Sequence, residues 1–209
     1  MFAVDHRPIT EEYGMTDVMV EPRAAAADLI RTTALDEAAY RAGDGRNAPP
    51  ANWDMFNRLT AALTAWQEDG ELRPKGLLLI EWLAVEMTGY SMTMLGDKKV
   101  ESWLVEFGDE VCRKQRHAHP AGPTAIDILS IVLESEGRSV RPDAAGDDRL
   151  QRIGVPYAGY LRDGRTLEDV RELVLTLGLW AGSRLTSLMH ADAGRITGYL
   201  DARDAAPRT

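Results

Sequence analysis

Apolar residues recur at steps of three and four along most of the chain, a spacing typical of amphipathic helices. The most apolar run extends from Arg73 to Gly96. Its side chains fall in two stripes, one of Leu79, Leu83, Met87, Tyr90 and Met94 and one of Leu78, Val85 and Met92. Because a helix with two apolar stripes needs neighbours on both sides, the pattern predicts a central helix over about 74–95.

The same periodicity predicts helices on both sides of this segment. They cover 23–42, 52–69, a stretch from Asp97 to the stop at Pro120, a short stretch after Thr124, a long stretch after Thr166 and about 192–203. We find no segment with the alternating pattern of a strand. The predicted fold class is therefore all-α, an irregular bundle of about seven helices around a central apolar helix, with an N-terminal arm.

Glycine and proline mark the expected boundaries between these elements. Residues 1–22 have no hydrophobic period, and 43–50 (Gly-Asp-Gly-Arg-Asn-Ala-Pro-Pro) read as a linker. The predicted organisation is an arm, first helix and linker over 1–50, followed by a helical domain over 51–209. The polar stretch 137–148 is predicted to be a surface loop, and 150–161, which contains Gly154, Pro156 and Gly159, a turn with a short helical piece.

Local signals predict details of two helices. Thr124 with Asp127, and Thr166 with Asp169, resemble capping boxes at helix starts. In the long helix after Thr166, two glycines lie four residues apart, at 178 and 182. Glycines on one helix face would let another backbone approach closely.

Composition narrows the functional classes. The chain has 209 residues with 44% hydrophobic content, which is enough to form a core. Its net charge of −9 disfavours general binding to nucleic acid or to an anionic membrane. Glu81 and Glu86 lie within the apolar run and argue against a membrane span. Cys112 is the only cysteine, so no disulfide can form within the chain. With no signal-peptide pattern at the N-terminus, a cytoplasmic location is expected.

Glu81 is the first candidate for chemistry. It lies beside an apolar stripe of the predicted central helix, where burial would raise the pKa of its carboxyl group and suit it to bind a ligand. The alternative is a structural carboxylate paired with an arginine.

The segment 112–119 carries the other candidates. Arg113, Arg116, His117 and His119 could bind an anionic ligand together with Glu81. Alternatively, they are cations at the C-terminal end of a helix, where the macrodipole favours them without any ligand. No metal-binding or nucleophile motif occurs. We therefore predict no catalytic residue, no metal ligand and no cofactor.

Three functions follow from these patterns. The first is a non-enzymatic helical interaction protein, an assembly, adaptor or regulatory subunit that binds a protein partner or forms a homo-oligomer. The alternative is a small-molecule-binding helical domain, which could also be an enzyme, with a pocket near Glu81. The third is a nucleic-acid regulator that uses Arg149, Arg152, Arg162 and Arg165, although these arginines lie in no helix-turn-helix pattern.

Overall fold

The computed structural model describes residues 21–43, 53–115, 121–136 and 142–205. Within these ranges the chain forms helices and no strand, so the all-α prediction is confirmed. The helices are α1 (Pro22–Ala42), α2 (Trp53–Glu68), α3 (Leu72–Leu95), α4 (Asp97–Gln115), α5 (Ala121–Glu136), α6 (Pro142–Tyr160), α7 (Thr166–Leu188) and α8 (Ala193–Ala205). None of these described helices combines the length and hydropathy needed to cross a membrane.

The apolar helix α3 packs against α7, α1, α5, α4, α2 and α6. Most of the first predicted stripe is buried, including Leu79 and Leu83. The second stripe is not a buried face, because Leu78 is 37% exposed and Val85 is only partly covered. Ile80 and Ala84 are buried instead. The buried side of α3 is thus one wide face rather than two opposed stripes.

Helices α1 and α7 pack closely at two glycines of α7. A Cβ atom at Gly178 would lie 2.3 Å from Leu29 Cδ2, and one at Gly182 would lie 2.1 Å from Thr33 Oγ1. Thr33 Oγ1 donates a hydrogen bond to the carbonyl of Gly178 at 3.2 Å, and Thr186 Oγ1 donates one to the carbonyl of Ala34 at 2.9 Å. The close approach predicted from the two glycines is confirmed.

The predicted boundary near residue 50 and residues 1–20 of the arm predicted over 1–22 lie outside the described residues, and the division into 1–50 and 51–209 stays a prediction. On the N-terminal side of that boundary, α1 contributes Leu29 and Ile30 to the same hydrophobic core as α3 and α7.

The predictions for 137–161 are wrong where the structure describes this stretch. Residues 142–160 form one helix, α6, which begins at Pro142 and contains Pro156. Proline suits a first helical position because it lacks the N–H that would be unbonded there. Ile153 and Tyr157 are buried, and Tyr157 donates a hydrogen bond to the carbonyl of Arg73 at 3.2 Å. This packing overrides the helix-breaking tendency of Pro156.

Both predicted capping boxes are also wrong. Because α5 begins at Ala121, Thr124 lies inside the helix. At the start of α7, no side chain caps the helix, and Asp169 turns back to the preceding loop. The Asp169 carboxylate accepts a hydrogen bond from the backbone N–H of Arg162 at 2.7 Å and pairs with the Arg162 guanidinium.

Candidate functional site

Glu81 lies on α3 beside α6, where its carboxylate pairs with an arginine. The distance from Arg149 Nε to Glu81 Oε1 is 2.8 Å, and the two side chains are only 20% and 12% exposed. A carboxylate held in this way has its charge balanced and one oxygen occupied. The pairing agrees with the alternative given for Glu81, a structural carboxylate paired with an arginine, and leaves less of the carboxylate free to bind a ligand.

The candidate segment at the end of α4 is only partly described. Arg113 is exposed in the last turn of α4. Arg116, His117 and His119 lie outside the described residues, so their grouping with Glu81 stays a prediction. Within the described ranges, no three histidine, cysteine, aspartate or glutamate side chains are grouped as metal ligands would be.

A cleft of about 600 Å³ lies between α1, α3 and α8. It is bordered by ion pairs: Arg31 Nη2 lies 2.7 Å from Asp201 Oδ1, and Arg203 Nη1 lies 2.6 Å from Glu86 Oε2. The guanidinium of Arg23, which also lines the cleft, lies 4.7 Å from the centre of the Trp82 ring. The cleft therefore offers charges of both signs and one aromatic face.

Tyr90 and Arg203, beside this cleft, both keep their protons near neutral pH. Burial, followed by the charge of Glu86, raises the pKa of Tyr90 far above its ordinary value. Burial lowers the pKa of Arg203, but the neighbouring Tyr90 and Glu86 outweigh it and raise that pKa. Arg203 therefore stays charged and donates a hydrogen bond to the protonated Tyr90 hydroxyl at 3.0 Å. Neither Tyr90 nor Arg203 is poised to exchange a proton in catalysis.

A second concavity, which we call the α4–α5 groove, has a volume of about 570 Å³. From α4 it is lined by residues at helical spacing along one face, namely Glu101, Leu104, Val105, Gly108, Asp109 and Cys112. From α5 it is lined in the same way by Pro123, Ile126, Asp127, Ser130, Leu133 and Glu134. The groove thus runs along both helices, with one stripe of residues from each.

Apolar side chains form the floor of the groove. A Cβ atom at Gly108 would lie 3.1 Å from Ile126 Cγ2, so the missing side chain lets α5 pack tightly against α4. Leu104 is buried beneath, and Ile126 and Leu133 are partly covered. Val105, however, is 67% exposed. A valine this exposed at the edge of an apolar groove leaves surface that another molecule can cover.

The charged groups that line the α4–α5 groove are all acidic. They are Glu101, Asp109, Asp127 and Glu134, and no described lysine or arginine lines it. Arg152 pairs with Glu134 from outside. The other three carboxylates are exposed and form no ion pair or hydrogen bond with any described residue.

Sequence reasoning missed the α4–α5 groove. The usable signal was the spacing of Glu101, Val105, Gly108 and Cys112 at intervals of four, three and four residues, which places an apolar residue and a glycine among polar ones.

Comparisons with known proteins do not assign the chain to a family. No family model matches it, and no solved structure matches it. Elongation factor 2 of Archaeoglobus fulgidus is 28% identical over 107 residues, which is 49% of this chain. The chain spans only 13% of the length of that protein, and this partial similarity carries no statement of shared activity.

Proposed function

We propose that this chain is a non-enzymatic helical interaction protein, an assembly, adaptor or regulatory subunit that works in the cytoplasm through protein–protein contacts. The observation that carries the proposal is the α4–α5 groove, in which an exposed valine borders an apolar floor. An apolar surface of this kind, rimmed by polar groups, is one that a protein partner can cover.

The chemistry of the other described candidates supports the same proposal. Glu81 is held by Arg149, and the arginines Arg31 and Arg203 of the α1–α3–α8 cleft are held by acids. In the α4–α5 groove, by contrast, three carboxylates have no bonding partner among the described residues. These carboxylates can bind a partner without first breaking a bond to any part of the chain that the structure describes.

The only cysteine of the chain allows a direct test, because Cys112 is exposed and lines the groove. We would attach a photoactivatable benzophenone to Cys112, irradiate the protein in native extract, and identify the crosslinked peptide by mass spectrometry. The proposal predicts one defined protein conjugate, which includes a second copy of this chain if the protein forms a homo-oligomer.

The matched control moves the probe to another helix. In the double variant Cys112→Ser, Gln67→Cys the probe sits on the exposed face of α2, which packs against α3, α7 and α1. A groove-blocking variant, Val105→Lys, keeps the probe at Cys112 but replaces the exposed apolar contact with a charge. Equal crosslinking from Gln67→Cys, or full crosslinking in Val105→Lys, would contradict the proposal.

A second candidate function is the binding of a small molecule in the α1–α3–α8 cleft. Its volume of about 600 Å³ lies within the range of small-molecule sites, and Arg23 over Trp82 offers a charge beside an aromatic face. This cleft is not the predicted pocket at Glu81, because its α3 lining comes from Trp82 and Glu86.

An anionic aromatic dye, anilinonaphthalene sulfonate, tests this second function by fluorescence. We expect binding to weaken in Arg23→Met and to stay unchanged in Val105→Lys. Arg23 is exposed, so its loss should leave the fold intact. No binding, or binding that is insensitive to Arg23→Met, would remove the second candidate.

A further inference from the structure

We propose that the occupant of the α4–α5 groove is a cationic amphipathic helix of another protein, about three turns long. This inference rests on the proposed function and specifies its partner. It is drawn from the shape of the groove, its apolar floor and the sign of its charges.

The shape of the groove favours a helix. The α4 stripe runs from Glu101 to Cys112, and the α5 stripe from Pro123 to Glu134. At 1.5 Å per residue, eleven steps along a helix span about 16 Å, or roughly three turns. A helix laid between two others packs its side chains into the depression that they form. Partners of this kind contribute apolar residues at positions i, i+3 or i+4, and i+7.

The floor and edge of the groove supply the apolar contacts. Ile126 and Leu133 are half-covered, and Val105 is mostly exposed on the α4 side. A leucine or phenylalanine from the partner that covers Val105 would remove this apolar surface from water. The gain is the hydrophobic term that drives most protein association.

The acidic side chains of the groove favour a partner with positive charge. Asp109 lies on α4 and Asp127 on α5, and both are exposed and unpaired among the described residues. Carboxylates on both walls favour a helix with lysine or arginine on both sides of its apolar stripe. A second copy of this chain fits less well, because each copy carries a net charge of −9.

The test uses the full chain and a synthetic 14-residue helix of leucine and lysine, with leucines at the spacing given above. The affinity of the peptide for the full chain would be measured by fluorescence anisotropy at low and at physiological salt concentration. We expect saturable binding that weakens as salt rises, because the carboxylates are exposed and salt screens them. Two further peptides are controls, one with glutamate replacing lysine and one with the same composition scrambled to abolish the apolar face.

The decisive comparison uses two double variants with the same change in net charge. Asp109→Asn with Asp127→Asn removes one carboxylate from each wall. Glu68→Gln with Asp69→Asn removes two exposed carboxylates at the end of α2. Exposed charge pairs contribute about 0.2–1 kcal/mol each, so the groove variant should bind roughly 2- to 30-fold more weakly. The α2 variant should bind like the unmodified chain.

The outcomes separate this inference from the proposed function. Equal binding by both double variants, or binding of the glutamate peptide, would overturn the cationic helix. A Cys112 conjugate with a second copy, or with an acidic partner segment, would overturn it too while leaving the interaction function in place. If the Cys112 probe captures no protein, the proposed function itself fails.

Discussion

The contact between α1 and α7 gives the sharpest stability prediction. Replacing Gly182 with alanine would place a Cβ atom 2.1 Å from Thr33 Oγ1 and 3.0 Å from the backbone nitrogen of Ala34. A side chain can rotate away, but a backbone atom moves only with its helix. The substitution therefore forces α1 away from α7.

The expected cost follows from two opposing effects. Overpacking a tight contact costs typically 1–3 kcal/mol, and occasionally more. Alanine is better than glycine inside a helix by about 1 kcal/mol, which offsets part of that cost. Gly89→Ala isolates the second effect, because a Cβ atom at Gly89 in α3 would meet nothing within 4 Å.

Urea and thermal unfolding, followed by circular dichroism, measure both variants. We expect Gly182→Ala to lower the free energy of unfolding by up to about 2 kcal/mol, or up to roughly 8 °C in Tm for a chain of this size. Gly89→Ala should raise it by about 0.5–1 kcal/mol. If Gly182→Ala is as stable as Gly89→Ala, the α1–α7 contact is not as close as described. A separate early transition in Gly182→Ala would show that α1 unfolds alone.

Three further predictions concern buried charges and α6. Asp169→Asn should destabilise the protein by about 1–3 kcal/mol at neutral pH, because it disrupts the bonds from Arg162 to a fully buried carboxylate. Burial opposes ionisation of Asp169, but the bonds from Arg162 outweigh it and hold the pKa of Asp169 below the ordinary 3.8. The stabilisation from the ionised carboxylate is therefore present above pH 3.8 and is lost as the pH falls through the lower pKa of the folded state. A pH series of urea midpoints should show this loss in the unmodified chain and not in Asp169→Asn. Pro156→Ala should stabilise α6 by about 1–3 kcal/mol, read as a higher Tm, and an unchanged or lower Tm would mean that the helix needs the proline. Glu81→Gln should lower the free energy of unfolding by about 1–2 kcal/mol, because it weakens the bond to Arg149, and should leave crosslinking from Cys112 unchanged. Reduced crosslinking with an unchanged free energy of unfolding would give Glu81 a functional role.

Periodicity was sufficient to predict the fold class because apolar residues spaced three and four apart indicate amphipathic helices. The two glycines of α7 likewise predicted a close approach, since absence of a side chain is itself a packing signal. Pro156 misled the prediction for α6, because the burial of Ile153 and Tyr157, four residues apart, outweighs one lost hydrogen bond. Local propensity is a weak guide wherever tertiary packing opposes it.

The site was harder to predict than the fold. The pairing of Glu81 with an arginine was foreseen as one of two alternatives, but nothing in the sequence identified Arg149, which lies on another helix. The α4–α5 groove depends on how two helices pack at Gly108 and Ile126, and single-helix periodicity carries no information about such a pairing. An exposed valine such as Val105 is ordinary until its neighbours are known.

The rate at which Cys112 is alkylated by iodoacetamide in native extract, compared with buffer, tests the interaction account most directly. If a protein partner occupies the α4–α5 groove, the exposed thiol should react more slowly in extract, and Val105→Lys should restore most of the rate seen in buffer. A cysteine at Gln67 on α2, in a chain with Cys112→Ser, corrects for reagent consumed by the extract. The account would be contradicted if the rate in extract, divided by the rate in buffer, were equal for Cys112 and the α2 cysteine and were unaffected by Val105→Lys.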